Sequence, residues 1–253
     1  MNIGLSQLAF DSPEIYSKLK ELGFSYVEGV LTKIAPWDSL SQTSLNQFKS
    51  DLNINTLDCY SIQSIFYNTP ITTLCDKKVM VHFCNLIEYC KILDTKIMVL
   101  GSPNLRKIEP DYINKLDRIF SQLDVLLEDT GIKVVLEPNC HLYKGEYFYS
   151  SSEIKCFIKA NNLQNIKTMI DTHNLLNEGL DPIKEFERNI KLIEHIHISE
   201  NDLKPIHNIE FHKSFAQALK SNWYNKGVTY EVKKTKSIDL ERFASIYGTN
   251  NPQ

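Results

Sequence analysis

Two histidines lie on one face of a strand-like segment. In the run Ile193-Glu194-His195-Ile196-His197-Ile198-Ser199-Glu200, apolar and polar residues alternate, so His195 and His197 point to the same side. A polar stretch follows directly, which indicates a strand whose end opens into a site. A histidine on a strand face is more often a hydrogen-bonded core residue than a metal ligand, so this segment alone does not establish a metal site.

Three other strand-like runs end in a carboxylate residue: Val134-Val135-Leu136-Glu137, Lys167-Thr168-Met169-Ile170-Asp171 and Val228-Thr229-Tyr230-Glu231. If these strands are parallel, their carboxyl ends meet at one face, and Glu137, Asp171, His197 and Glu231 converge there. Clustered carboxylates in a half-buried place repel each other unless a cation or protons compensate. A divalent cation is the simplest compensation. The oxygen-rich donor set favours manganese or magnesium, with cobalt and zinc as alternatives.

The elements that must position these residues alternate along the whole chain. The sequence predicts strands at 2–9, 24–30, 54–60, 96–100, 132–137, 166–171, around His197 and at 228–232. It predicts helices at 12–22, 41–52, 76–92, 112–128, 151–160, 182–189, 211–219 and 238–247. Strands that alternate with helices indicate a parallel sheet.

Eight such units without a linker predict an α/β protein in which residues 1–253 form a single (β/α)8 TIM-barrel domain. A doubly wound open sheet is the second interpretation. It is disfavoured because no glycine-rich phosphate fingerprint follows the first strand.

The composition is that of an ordinary soluble globular protein, with 253 residues, 42% hydrophobic, 23% charged and a formal net charge of −3. This balance argues against a nucleic-acid partner. No apolar run reaches the roughly 18 residues of a membrane span, and the first residues lack the basic region of a signal peptide. We therefore expect a cytoplasmic protein without a membrane partner. The six cysteines form no CxxC pair and are expected to be reduced.

At four places the chain resembles the xylose-isomerase-like TIM barrels, specifically the sugar phosphate isomerase/epimerase family that includes ketose 3-epimerases and inosose dehydratases. The motifs are Leu136-Glu137-Pro138-Asn139, Ile170-Asp171-Thr172-His173-Asn174, His195-Ile196-His197-Ile198-Ser199-Glu200 and Thr229-Tyr230-Glu231. Each motif alone is weak, whereas the four in order are fairly specific. The resemblance implies that Glu137, Asp171, His197 and Glu231 hold one divalent metal ion.

The resemblance also implies the chemistry. We expect an isomerase or epimerase of a sugar or sugar phosphate that removes a proton next to a metal-chelated carbonyl, with Glu137 and Glu231 as acid and base. The residues expected to contact the carbohydrate are Gln63, Asn139, Asn174, His212 and Arg106. For His212, a solvent-facing residue at the start of a helix is an equally good interpretation. A homodimer is left open.

One departure and several rival functions bear on the substrate. Family members with sugar activity often carry a histidine three residues after the metal aspartate, where this chain has Asn174, with His173 one place earlier. A metal-dependent dehydratase of a polyol or keto acid would use the same four ligands. A non-catalytic sugar-binding barrel would not need them intact. An endonuclease-IV-like enzyme would need further histidines after strands two and three, which the sequence lacks.

Overall fold

Eight parallel strands close into a barrel in sequence order, and the first strand pairs with the last. The structure, a computed structural model, describes residues 1–235 and 238–248. The strands are β1 (Asn2–Ser6), β2 (Tyr26–Val30), β3 (Asp58–Gln63), β4 (Ile97–Leu100), β5 (Lys133–Leu136), β6 (Ile166–Asp171), β7 (Ile193–Ile198) and β8 (Gly227–Tyr230). The predicted TIM barrel is confirmed.

Helices connect the strands. Those described are α1 (Ile15–Glu21), α2 (Leu31–Ile34), α3 (Gln42–Ile54), α4 (Lys78–Leu93), α5 (Tyr112–Leu127), α6 (Ser151–Ala160), α7 (Thr172–Asn177), α8 (Pro182–Asn189), α9 (Ile209–Ser221) and α10 (Leu240–Tyr247). Their starts follow local signals. Ser41 caps α3 in a capping box with Ser44, and Asp181 caps α8, which has Pro182 in its first turn. None of the helices described is long and apolar enough to cross a membrane.

Successive residues of a strand belong to two different apolar clusters. Met98, Leu100 and Val134 belong to the large core cluster, whereas Val99 and Val135 belong to a smaller, separate cluster with Ile97 and Met169. This alternation follows from the period of two along a strand, which points successive side chains to opposite faces of the sheet. The small cluster fills part of the barrel interior, and polar residues occupy the interior nearer the carboxyl ends of the strands.

Strand β3 begins later than the sequence predicts. Helix α3 runs on to Ile54, and the chain then turns through Thr56, whose φ of 56° lies in the left-handed region. The strand therefore spans Asp58–Gln63 instead of residues 54–60. The shift places Gln63 at the carboxyl end of β3. Helix α7 (Thr172–Asn177) is a second difference, because it lies outside the predicted helices.

Candidate active site

Four residues at the carboxyl ends of adjacent strands converge as the sequence predicted. Glu137 follows β5 directly, Asp171 ends β6, His197 lies in β7 and Glu231 follows β8. In the pairing of β6 with β7, Asp171 lies opposite His197. Each residue offers one donor atom, and these four atoms all lie within 4.8 Å of one another.

The imidazole of His197 is the centre of this group. Its Nδ1 lies 3.1 Å from Oε1 of Glu137, 3.4 Å from Oε2 of Glu231 and 3.9 Å from Oδ2 of Asp171. The ring is 1% exposed, so water does not screen these charges. The other ring nitrogen, Nε2, points away from the three carboxylates and lies 2.9 Å from Oε1 of Glu28.

The two carboxylate oxygens of Asp171 have different partners. Oδ1 accepts a hydrogen bond from the backbone N–H of Asn174 at 2.7 Å, which caps α7, and another from Oγ of Ser199 at 2.9 Å. Oδ2 faces Nδ1 of His197. The helix cap therefore holds the carboxylate in one orientation and leaves Oδ2 for a ligand.

The carboxylate of Glu137 is held in a similar way. Nδ2 of Asn139 donates to its Oε2 at 3.1 Å, while Oε1 faces His197. Gly101, which follows β4, provides the space for this carboxylate, because a Cβ atom at that position would overlap Oε2 of Glu137. Glycine is thus required at position 101, because the side chain of Glu137 lies close to the backbone there.

Burial and mutual repulsion perturb the protonation of this group. Burial raises the pKa of Asp171 well above its ordinary value, and the charges of Glu137 and Glu231 raise it further. Burial alone would lower the pKa of His197, but the charges of Glu28 and Glu231 outweigh this effect and raise that pKa well above its ordinary value. The group thus favours positive charge at its centre, as a proton or as a metal cation.

The donor set fits a divalent metal ion. It consists of three carboxylates and one imidazole, and these are ligands of Mn²⁺, Mg²⁺, Co²⁺ and Zn²⁺. Because the Asp171 carboxylate and the Glu137 carboxylate are both oriented by hydrogen bonds from neighbours, the site is preorganised in the manner of metal centres whose ligands have outer-shell partners.

Three of these four residues, Glu137, Asp171 and Glu231, line a cavity of about 530 Å³. The size is within the range of small-molecule sites. Its walls carry hydroxyl, amide and aromatic side chains, and the lining residues are Leu8, Gln63, Ser64, Tyr67, Val99, Gly101, Ser102, Pro103, Glu137, Asn139, Tyr143, Asp171, His173, Asn174, Ser199, Leu203 and Glu231. No lysine or arginine of residues 1–235 or 238–248 lines it.

The family model for xylose isomerase-like TIM barrels matches residues 16–242. The chain belongs to this family. A comparison with curated proteins found no significant match by sequence.

Solved structures of several functions share the fold of this family member. The D-psicose 3-epimerase with D-tagatose from Clostridium cellulolyticum H10 superposes with a TM-score of 0.79 and is 16% identical, over 98% of this chain and 90% of that chain. The probable 3-DHS dehydratase from Bacillus anthracis superposes with a TM-score of 0.71 and is 15% identical, over 99% of this chain and 100% of that chain. A family 2 AP endonuclease from Brucella melitensis superposes with a TM-score of 0.77 and is 15% identical, over 99% of this chain and 100% of that chain. At these identities the similarity establishes the fold and leaves the reaction to be argued from the site.

Three of the residues predicted to contact a substrate line the cavity. These are Gln63, Asn139 and Asn174. Nε2 of Gln63 donates to Oγ of Ser6 at 2.7 Å and to Oε1 of Glu28 at 2.9 Å. This orientation leaves the amide oxygen of Gln63 to accept hydrogen bonds on the cavity side.

Arg106 is not brought to the cavity. Its side chain is fully buried, and Nη2 donates to the carbonyl oxygens of Leu100 and Glu137, both at 2.8 Å, while Nη1 donates to that of Phe148 at 3.3 Å. Burial lowers the pKa of Arg106 to about 10, so the guanidinium stays charged at neutral pH. Arg106 therefore joins the carboxyl ends of β4 and β5 and has no contact with the cavity.

His212 also lies away from the cavity. It is buried in α9, where Nε2 lies 3.1 Å from Oε1 of Glu200 and Nδ1 lies 2.7 Å from the hydroxyl of Tyr247. It is therefore neither a solvent-facing residue nor in contact with the cavity. Oε1 of Glu200 also accepts from the backbone N–H groups of His207 and Asn208, so the cluster fixes the segment that follows β7.

The sequence analysis missed Glu28, a fully buried carboxylate in β2. It ion-pairs with both histidines of β7, since its Oε2 lies 2.8 Å from Nε2 of His195. Burial would raise the pKa of Glu28, but the charges of His197 and His195 and their hydrogen bonds hold it well below the usual range. The rule that located the other four residues, a charged side chain near the carboxyl end of a strand, does not find Glu28, which lies in the middle of β2.

Proposed function

We propose that this protein is a divalent-metal-dependent isomerase or epimerase of a carbohydrate, which removes a proton from the carbon next to a carbonyl group. The observation that carries the proposal is the convergence of Glu137, Asp171, His197 and Glu231, whose donor atoms lie within 4.8 Å of one another beside a cavity that the three carboxylates line. When bound there, a divalent ion supplies Lewis-acid polarisation of a substrate carbonyl. The oxygen-rich donor set favours manganese or magnesium.

Glu137 and Glu231 are the proposed proton-transferring residues. They follow β5 and β8 and both line the cavity, so both can reach a bound substrate. One carboxylate takes the proton from the substrate carbon, and a carboxylate returns a proton to that carbon or to the neighbouring one. Asn139 holds Oε2 of Glu137, which limits the carboxylate to small movements during this transfer.

Hydrogen-bond acceptors in the cavity support a substrate with several hydroxyl groups. The Oδ1 atoms of Asn139 and Asn174 are buried without a partner in the described part of the chain. Both Nδ2 contacts of Asn139 are acceptors, Oε2 of Glu137 and the carbonyl of Pro138, so the orientation of this amide is fixed. Because unpaired buried acceptors are costly, a small rotation of either side chain towards a donor group of a bound ligand would be favourable. A polyhydroxy compound carries such donors.

The charge of the cavity supports a substrate without a phosphate group. Three carboxylates line it, and among residues 1–235 and 238–248 no lysine or arginine does. A phosphate dianion would require such cations or a nest of backbone N–H groups to bind tightly. We therefore propose a free ketose or keto sugar as the substrate, in preference to its phosphate ester.

The experiment is solvent hydrogen exchange. The protein, loaded with Mn²⁺, is incubated in deuterium oxide with a panel of ketoses and with the matching ketose phosphates, and the products are analysed by NMR and mass spectrometry. We expect deuterium at the carbon next to the carbonyl for a free ketose, and no exchange with Asp171→Asn. Release of water from the substrate would instead favour a dehydratase. Absence of exchange with every compound would contradict the carbon-acid reaction.

A further inference from the structure

A second buried cluster lies behind the candidate metal ligands, inside the barrel. Glu28 of β2 lies between the two histidines of β7, with Oε2 at 2.8 Å from Nε2 of His195 and Oε1 at 2.9 Å from Nε2 of His197. All three side chains are at most 1% exposed. His197 thus belongs to both groups, with Nδ1 on the side of the cavity and Nε2 on the side of Glu28.

Every lone-pair direction of the Glu28 carboxylate has a donor nearby. Oε1 also accepts from Nε2 of Gln63 at 2.9 Å, and Oε2 accepts from Oγ of Ser61 at 2.6 Å. Two donors for each oxygen are what an ionised carboxylate requires when it is buried, because only the charged form is acceptor-only at both oxygens. Glu28 is therefore built to carry a negative charge next to His197.

The distances argue for ion-pair contacts, and not for a second metal ion, as the links in this cluster. Ligand atoms around a tetrahedral ion with bonds of about 2.0 Å lie about 3.3 Å apart. The nitrogen–oxygen separations of 2.8 Å and 2.9 Å are shorter, as in a close pair of an imidazole and a carboxylate. Nε2 of His195 has its hydrogen bond with Oγ1 of Thr229 at 3.0 Å, and Nε2 of His197 has no aligned hydrogen-bond partner among the described residues, so Glu28 acts on both rings through its charge at close range.

We infer that Glu28 is a positioning residue of the metal site: its negative charge, 2.9 Å from Nε2 of His197, favours the proton on that nitrogen and thereby leaves the lone pair of Nδ1 for the side of Glu137, Asp171 and Glu231. A neutral imidazole has one protonated nitrogen and one free lone pair, so fixing the proton on Nε2 fixes the ligand atom as Nδ1. The charge of Glu28 also makes the ring a better electron donor to a metal ion. This inference rests on the proposed metal site.

The same carboxylate connects the metal site to the wall of the cavity. Gln63, which lines the cavity, donates to Glu28 and to Ser6 through one amide nitrogen, and its amide oxygen accepts from Oγ of Ser64 at 3.4 Å. On the opposite side, Oγ1 of Thr229 lies 3.0 Å from Nε2 of His195 and 2.8 Å from the hydroxyl of Tyr26. These contacts hold the cluster in one arrangement.

The test compares metal affinity in three proteins. Competition with a chelating dye gives the Kd for Mn²⁺ of the wild type, Glu28→Gln and the matched control Ser61→Ala, which removes one donor but keeps the charge of Glu28. We expect Glu28→Gln to raise the Kd roughly 10- to 100-fold, the usual effect of losing such a partner of a metal ligand. The control should stay within about threefold. Equal Kd values for wild type and Glu28→Gln, or an equal loss in both variants, would overturn the inference.

A second measurement needs no substitution at Glu28. In Zn²⁺-loaded wild-type protein labelled with ¹⁵N-histidine, the signals of His197, identified by their absence in His197→Asn, should show a protonated Nε2 and a metal-bound Nδ1. Metal on Nε2, or two ions per chain, would overturn the inference while leaving the metal-dependent function intact. If the wild type binds no divalent ion, both the proposed function and the inference about Glu28 fail. If the wild type binds metal, Asp171→Asn does not and Glu28→Gln binds it as the wild type does, the role of Glu28 is refuted and the metal site stands.

Discussion

Substitution of Gly101 by alanine tests the position of the Glu137 carboxylate. The added methyl group would overlap Oε2 of Glu137, and the oxygen must move by about 1 Å to reach an ordinary contact. Gly101 does not adopt the left-handed backbone conformation, so alanine causes no backbone strain. The displaced atom lies at the end of a flexible side chain, which keeps the cost in unfolding free energy to about 1 kcal/mol or less.

A movement of this size matters far more for chemistry than for stability. Metal sites tolerate ligand displacements of roughly 0.2 Å, and a misplacement of about 1 Å can cost on the order of 100-fold in rate. We therefore expect Gly101→Ala to melt near the wild-type temperature, to bind Mn²⁺ at least about tenfold more weakly and to lose about 100-fold in kcat/KM.

The assay pairs thermal unfolding with metal titration and steady-state kinetics. Gly145→Ala is the matched control, because a Cβ atom there would meet Pro103 at ordinary contact distances of 3.4 Å. It should behave as the wild type in all three measurements. A Gly101→Ala protein with wild-type metal affinity and activity would refute the placement of Glu137, and a large loss of stability would show that Gly101 serves the fold instead.

Three further predictions concern charge in and around the site. Glu231→Gln should lower turnover roughly 1,000-fold while the melting temperature of the metal-free protein stays the same or rises, since like charges are relieved; a marked fall in calorimetry would make Glu231 structural. In the metal-free protein the pKa values of Asp171 and His197 are raised by folding, so each group stabilises the fold fully below its unfolded pKa and loses this contribution as pH rises towards its folded pKa. Melting temperatures should therefore fall as pH rises above about 4 through Asp171 and further above about 6.5 through His197, and should recover with excess Mg²⁺; a flat profile would contradict the crowding. Arg106→Met leaves three carbonyl groups without their donor, which should lower the free energy of unfolding by about 3 kcal/mol in urea denaturation; unchanged stability would contradict its role.

The four strand-end residues were predictable because their signals are local and the fold rule that joins them is general. A short strand-like run that ends in Asp or Glu needs no knowledge of distant contacts, and a parallel barrel brings such ends to one face. Glu28 lies in the middle of its strand, Tyr26-Val27-Glu28-Gly29-Val30, and its partners His195 and His197 lie far away in the chain. A strand glutamate of this kind is ordinarily read as a solvent-facing residue.

Arg106 and His212 show where sequence reasoning ended. A cation in a loop near the catalytic face is expected to meet a ligand, yet the acceptors of Arg106 are backbone carbonyl groups, which every residue has and no sequence pattern marks. The partners of His212 are Glu200 and Tyr247, which come together only when α9 packs against α10. The start of β3 was misplaced for a similar reason, since the left-handed turn at Thr56 carries no glycine.

Metal content shows whether Glu137, Asp171, His197 and Glu231 hold one divalent ion. Protein stripped with a chelator, reloaded with Mn²⁺ and dialysed is analysed by mass spectrometry for the wild type and for His197→Ala and Asp171→Asn, with circular dichroism as the check of folding. We expect about one ion per chain in the wild type and none retained in either folded variant. A wild type without bound metal, or variants that keep the ion in full stoichiometry, would contradict it.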